Sequence, residues 1–224
     1  MLLAVETSGL SGSIALLSEG QVRYEHTLQA AGPRHAQVLV QETDLLLREA
    51  GLTVNDLSAI AVSVGPGSFT GLRVGVVFAK TLAWLQGIPL VAVNSLQAAA
   101  WQLPHSHGVV TVISDAQREE VFVQECRWDA LADNWERTGD VRIEKVGALR
   151  HFETVIGPVV ERHRLKLTEQ NAGQLLLPVK PMASGVGKVG MRLIRSADFS
   201  CPETLEPLYV RLSYAEEKRM AANG

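Results

Sequence analysis

The stretch Ala61 to Trp84, AVSVGPGSFTGLRVGVVFAKTLAW, constrains this chain more than any other. Ile60 to Val64 is apolar apart from Ser63 and rich in β-branched residues, the pattern of a strand covered on both faces. Gly65-Pro66-Gly67 ends it. Pro66 fixes φ for a tight turn, Gly67 is expected to take positive φ, and Ser68 or Thr70 is placed to cap the helix that follows. In such a unit the first helical N–H groups point at the carboxyl edge of the sheet, where an anion can sit. The spacing G-P-G-S-F-T-G is neither a P-loop nor G-x-G-x-x-G, so the glycines alone favour a capped turn without a ligand.

From Leu72 to Leu85 the only charged residues are Arg73 and Lys80, seven apart and so on one face. A helix this apolar is expected to be hidden on most sides. Gly71, Gly75, Ala79 and Ala83 recur every four residues and make a smooth stripe, along which another helix backbone can approach closely. Each interior glycine costs roughly 1 kcal/mol relative to alanine, so close packing is the expected compensation.

Upstream, Leu2 to Val5, Ser13 to Leu17 and Val22 to Leu28 read as antiparallel strands joined by turns at Ser8-Gly9-Leu10-Ser11-Gly12 and Glu19-Gly20. Arg34 to Ala50 is a helix entered after Gly32-Pro33 and left at Gly51. Its apolar residues, Leu39, Leu46 and Ala50 with Ala36, Val40 and Leu47 beside them, cover more than one stripe and hint at a second buried face. After the strand at 58–64 and the helix at 69–86 come a strand from Ile88 to Val93 and a short helix from Ser95 to Gln102. The order βββαβαβα is that of the ribonuclease-H-like lobe of actin, sugar kinases and Hsp70, a fold that usually comes duplicated.

At 224 residues two small lobes are the natural expectation. Beyond the loop Pro104 to Gly108 the pattern restarts weakly, with a hairpin of Val109 to Ile113 and Val121 to Arg127 and a third strand at Asp140 to Val146. Then come a strand at Thr154 to Ile156, a charged helix near Val159 to Leu167, a strand at Leu175 to Val179 and a helix near Val186 to Ala197. The expected division is 1–103 for the first lobe, 104–207 for a reduced second lobe, and 208–224 for a terminal strand, Leu208 to Leu212, and a flexible tail that can pack back on the first lobe. The fold class is thus α/β, a duplicated ribonuclease-H-like fold of the actin and Hsp70 (ASKHA) kind with the second lobe reduced.

A net charge of −3 argues against a broad phosphate-tracking surface, so contact with nucleic acid is expected to be local or made through a partner. Cys126 and Cys201 form no C-x-x-C or metal spacing, which fits a reducing compartment. MLLAVETSG reaches Glu6 too soon for a signal peptide, and no apolar run is long enough for a membrane span, so the expected location is cytoplasmic. The six histidines, His26, His35, His105, His107, His151 and His163, include no H-E-x-x-H. Glu6-Thr7-Ser8 ends the first strand where such folds place a phosphate-side carboxylate, and Asp115 holds the matching place in the second lobe. A turn-forming role explains either one equally well.

LLAVETS with SIALL, RHAQVLVQETDLLL, LSAIAVSVGPGSFTGLRVGVVFAKTLA with IPLVAVNSL, ISDAQREEVF and the late EPLYVR together resemble the TsaB family, also called YeaZ. The match is good over the first 125 residues and thin beyond them. The resemblance implies a non-catalytic paralogue of TsaD, working with TsaD and the ATPase TsaE to form N6-threonylcarbamoyladenosine at position 37 of tRNAs that read codons beginning with A. Threonylcarbamoyl-adenylate from a separate synthase is the donor. In the catalytic paralogue an H-x-x-x-H metal pair follows the strand equivalent to Leu90–Val93; aligned here are Ser95 and Ala99, neither able to replace an imidazole. Glu6 stands where the family usually has Asp.

From this follow the expectations of no catalytic residues, no metal and no cofactor. A weakly bound nucleotide would be held by Glu6, Thr7, Ser8, Gly65, Gly67 and Ser68. The two helices are expected to present a partner face built from His35, Leu39, Val40, Glu42, Leu46, Gly71, Arg73, Val74, Gly75, Val76, Ala79 and Ala83, shared by a homodimer and by TsaD, with tRNA reached only indirectly. Gly75→Arg, or Val76→Glu if that side faces outward, should then leave the lobe folded and abolish association. The alternative is an enzyme, either an actin-like ATP-dependent phosphotransferase or a glycoprotease-like peptidase.

Overall fold

The structure, a computed structural model, describes residues 1–28, 35–104, 108–149, 152–170, 173 and 175–211, with the backbone alone at 35–37 and 170. The first sheet is built from β1 (Leu2–Glu6), β2 (Ser13–Ser18) and β3 (Gln21–Thr27), then, after helix α1 (His35–Glu49), from β4 (Ala59–Gly65) and, after helix α2 (Phe69–Gln86), from β5 (Leu90–Asn94). Its order is β3-β2-β1-β4-β5. The short turns make β1, β2 and β3 antiparallel neighbours, while the helical crossovers set β4 parallel to β1 and β5 parallel to β4. Ala4 sits opposite both Ala15 and Ala61, so the centre of the sheet carries small side chains. Helix α3 (Ser95–Ala100) follows β5 directly, capped by the Asn94 side chain, which accepts from the N–H groups of Leu96 and Gln97.

The second sheet repeats the path. It contains β6 (Val109–Asp115), β7 (Glu120–Asp129), β8 (Asn134–Arg137), β9 (Arg142–Lys145), β10 (Thr154–Ile156) and, after helix α4 (Val160–Gln170), β11 (Leu175–Leu177). The order is β11-β10-β6-β7-β8, with β9 also on β7. Antiparallel pairs at β6-β7 and β7-β8 and parallel pairs at β6-β10 and β10-β11 match those of the first sheet. What is reduced is the crossover: the place of α1 is taken by one 3-10 turn at Val146–Ala148. The third strand expected at Asp140 to Val146 is β9, and β8 before it is a further strand beyond those expected. The strand expected at 208–212 does not form over its described residues 208–211, which bend at Val210 and Arg211. The tail expected beyond it lies outside the described residues.

Two apolar layers sandwich the first sheet. Leu3, Val5, Ile14, Leu16, Ile60 and Val62 face α1 and α2, meeting Leu39, Leu46, Val76, Ala79 and Ala83. Leu2, Ala4, Leu17, Ala61 and Val93 face the other way, against Ala183, Val186 and Val189 of the last helix, α5 (Ala183–Arg195). Although α5 follows the second sheet in sequence, it covers the first. Gly190 allows this, because a Cβ there would press on that of Ala61. Past α5 the chain turns back: Ser200 bridges to Leu90 at the sheet edge, and the Leu208 N–H donates to the Val64 carbonyl at 2.7 Å.

Candidate functional site

The carboxyl edge of the first sheet is the place expected for an anion, and the chain itself fills it. Ser68 caps α2 as the sequence predicts, its hydroxyl accepting from the Gly71 N–H at 3.3 Å. The Ser68 N–H, however, donates at 2.8 Å to the Ser8 carbonyl. Gly65, at φ +117°, takes the left-handed turn expected of Gly67. Gly67 is needed for another reason: an added Cβ would collide with the Ser8 backbone.

The small-residue stripe of α2 has the same use. A Cβ on Gly71 would strike the Thr7 carbonyl oxygen, and one on Gly75 would strike the Thr7 hydroxyl. It is therefore the end of β1, and not a partner helix, that approaches closely. Glu6, Thr7 and Ser8 are consequently buried, with Glu6 at 0% exposure. Burial pushes the Glu6 carboxyl up from 4.5 to about 7; hydrogen bonds from the Ser8 hydroxyl, the Ser8 N–H and Ser63 offset only part of that. Its Oε2 and the Thr7 hydroxyl have no hydrogen-bond partner among the described residues.

Ser95 and Ala99, at the positions aligned with the metal pair, have structural duties instead. The Ser95 hydroxyl accepts from the Gly65 N–H at 3.1 Å, and Ala99 is sealed in the core between the lobes with Leu96, Phe122 and Trp135. In the second lobe Asp115 is a turn residue, accepting from the Gln117 N–H and paired with Arg162 at 2.8 Å. Among the described residues, no three His, Cys, Asp or Glu side chains gather where a metal ion could be held.

The expected partner face is largely turned inward. Leu39, Leu46, Val76, Ala79 and Ala83 belong to the core of the first lobe, Val74 packs against it, and Gly71 and Gly75 are buried on Thr7. Gly75→Arg would therefore break the lobe that it was expected to leave intact, and Val76→Glu would bury a charge. Glu42 is half-buried beside His26, 3.4 Å from its Nδ1. The side chain of His35 lies outside the described residues. Val40 and Arg73 do face outward.

What sequence reasoning misses is the outer face of α2: Val77 is 59% exposed, and Trp84 and Leu85 are each 64% exposed, while Val40 and Leu45 are exposed on α1, the helix packed beside it. The signal is in the sequence. Arg73 and Lys80 mark the solvent side, and Val77 and Trp84 stand four residues beyond each, on that same side. Three large apolar side chains exposed on one helix form the kind of patch that marks a docking surface. Its rim is the C-terminal segment: Lys80 donates to the carbonyls of Glu203 and Leu205, Tyr209 stacks on Phe69 at 5.1 Å, and Arg73 Nε donates to the Tyr209 hydroxyl at 2.9 Å.

Two sheets of one strand order, each with antiparallel strands leading into parallel crossovers, define a duplicated ribonuclease-H-like protein of the actin and Hsp70 class. Residues 29–191 match the family model described as TsaD: tRNA N6-adenosine threonylcarbamoyltransferase. The chain is 40% identical over 121 residues (54% of this chain, 52% of the relative) to the tRNA threonylcarbamoyladenosine biosynthesis protein TsaB of Bacillus subtilis. To the protein of that description from Haemophilus influenzae it is 36% identical over 135 residues, 59% and 56% of the two chains. It thus spans about half the length of these curated relatives. A solved Pseudomonas aeruginosa protein, described as similar to the peptidase YEAZ, superposes with a TM-score of 0.81 at 25% identity, covering 94% of this chain and 99% of that one. The chain belongs to the threonylcarbamoyltransferase family, in its TsaB (YeaZ) branch. No helix among the described residues is long and apolar enough to cross a membrane.

Proposed function

We propose that this chain is a non-catalytic subunit in the formation of N6-threonylcarbamoyladenosine at position 37 of tRNAs reading codons that begin with A. It docks the catalytic paralogue TsaD through the outer face of α2 and the neighbouring edge of α1. The ATPase TsaE joins that assembly, and tRNA is reached through the partners. The observation that carries this reading is a contrast between two places. At the carboxyl edge, where the fold could do chemistry, the chain's own Thr7-Ser8 backbone lies against α2, Ser95 is bonded to Gly65 and Ala99 is core. On the outer face of α2, Val77, Trp84 and Leu85 stand exposed, covered by none of the described residues.

The same face serves a homodimer in the absence of TsaD, since two copies can lay their α1-α2 surfaces together. An actin-like phosphotransferase would place its phosphate-side carboxylate at Glu6, and that carboxyl is fully buried. The groups that reach Glu6 are the Ser8 hydroxyl, the Ser8 N–H and Ser63, none of them a cation that could meet a phosphate, which supports a chain working without bound nucleotide. The test is reconstitution. The purified chain with tRNA and threonylcarbamoyl-adenylate is expected to give no modified nucleoside, and adding TsaD and TsaE is expected to give it. Robust product from this chain, donor and tRNA alone would overturn the reading.

A further inference from the structure

The C-terminal segment is anchored at two ends that belong to different lobes. On the first lobe, Leu205, partly buried, packs against the core and Tyr209 lies on the first residue of α2, stacked within 14° of the Phe69 ring plane. On the second, Val210, partly buried, packs against the core between the lobes, while Arg211 donates to the Ala116 carbonyl at 2.7 Å and pairs with Glu120, with side chains 16% and 26% exposed. What Arg211 grips is unusual. Gln117, Arg118 and Glu119 follow one another at φ of +65°, +54° and +61°, a run that non-glycine residues disfavour. The turn is also held from α4, through Arg162 to Asp115 and Lys166 to Glu119. Those surface pairs are exposed and weak. The Arg211 grip is the sheltered one, and it comes from the segment that rims the outer face of α2.

We propose that residues 205–211 are a clasp through which α2 of the first lobe sets the conformation of the β6–β7 turn of the second. Where Tyr209 is seated on Phe69, Arg211 is in register with Glu120 and the turn stays left-handed. Where Tyr209 is displaced, Arg211 withdraws and the turn relaxes. Coupling of this kind is reciprocal, so loosening the turn must also loosen the segment.

Amide hydrogen exchange on the full chain reads both directions. Arg211→Ala is expected to raise exchange at residues 117–121 about tenfold, and Tyr209→Ala, which alters only the first-lobe end, to raise it severalfold, with β1 and β4 unchanged in both. Glu120→Gln is expected to raise exchange of the Leu208 N–H. Adding Gln117→Gly, which removes a left-handed cost, is expected to bring Arg211→Ala back toward wild-type rates at the turn. Unchanged exchange at 117–121 in both Tyr209→Ala and Arg211→Ala overturns the proposal. Equal acceleration through both sheets overturns it too, because the segment would then be a general stabiliser.

Discussion

Replacing Glu6 with glutamine should remove most of a pH dependence that the wild-type fold carries. In the folded chain the carboxyl titrates near 7, against 4.5 for an exposed glutamate, so the folded state binds the proton more tightly than the unfolded one. Stability from this group is therefore fully present below about pH 4.5 and falls as pH rises, the loss continuing until pH passes about 7. The full displacement is worth about 3 kcal/mol, of which roughly 2 kcal/mol is lost between about pH 5.5 and 8. For a chain of this size that is a fall in Tm of roughly 4–8 °C. Glutamine keeps an acceptor for the Ser8 N–H and cannot ionise. Thermal unfolding of both proteins, followed by circular dichroism across that range, isolates the effect, since all other titrating groups cancel in the difference. The gap between the two Tm values should move by those few degrees in favour of the variant as pH rises. Parallel curves would refute the reasoning and mean that Glu6 is ionised in the folded chain, with a partner that the geometry does not provide.

Gly75→Ala should lower stability by about 2–3 kcal/mol in chemical denaturation despite the better helix former, because its Cβ meets the Thr7 hydroxyl; an unchanged midpoint would mean that β1 and α2 are further apart than described. Trp84→Arg with Val77→Arg should leave the fold within about 0.5 kcal/mol of wild type and weaken self-association and TsaD binding by about 2 kcal/mol or more, read by light scattering and calorimetry; undiminished binding places the docking surface elsewhere. Iodoacetamide under native conditions should label Cys201, which is exposed, and spare Cys126, whose thiol burial pushes up to about 12; mass spectrometry showing Cys126 alkylated in the folded chain would contradict its sealed position.

The first lobe is legible in the sequence because each of its elements carries its own punctuation. Ser68 and Gly87 bracket α2, and short apolar runs between polar or glycine-containing turns mark β1, β2 and β4. Asn134–Arg137 is not legible because only Trp135 faces inward, and a four-residue strand with one apolar residue has no period to detect. Leu208 and Val210 alternate like a strand, yet the main-chain bond described there is that from the Leu208 N–H to the Val64 carbonyl, which alone makes no ladder. The spacing misplaces the docking face for a related reason. Small residues every four positions say that a backbone comes close; they do not say whether it is a helix of another chain or a strand of this one. Burial decides between the two, and it lies in the fold rather than in the spacing.

The structural duties of positions 65, 95 and 99 also make the present state of this protein hard to leave. A histidine at 95 would give up the hydroxyl that holds the Gly65 N–H, and one at 99 would need room inside a packed core between two lobes. Neither step helps without the other, and each alone destabilises the chain. The seal against α2 at Gly67 and Gly71 is made by the main chain of Ser8 and Thr7, which a side-chain replacement at those two residues leaves in place. Two substitutions separate the alignment from a metal pair, but the route between them runs through less stable proteins. That turns a small difference in sequence into an entrenched one.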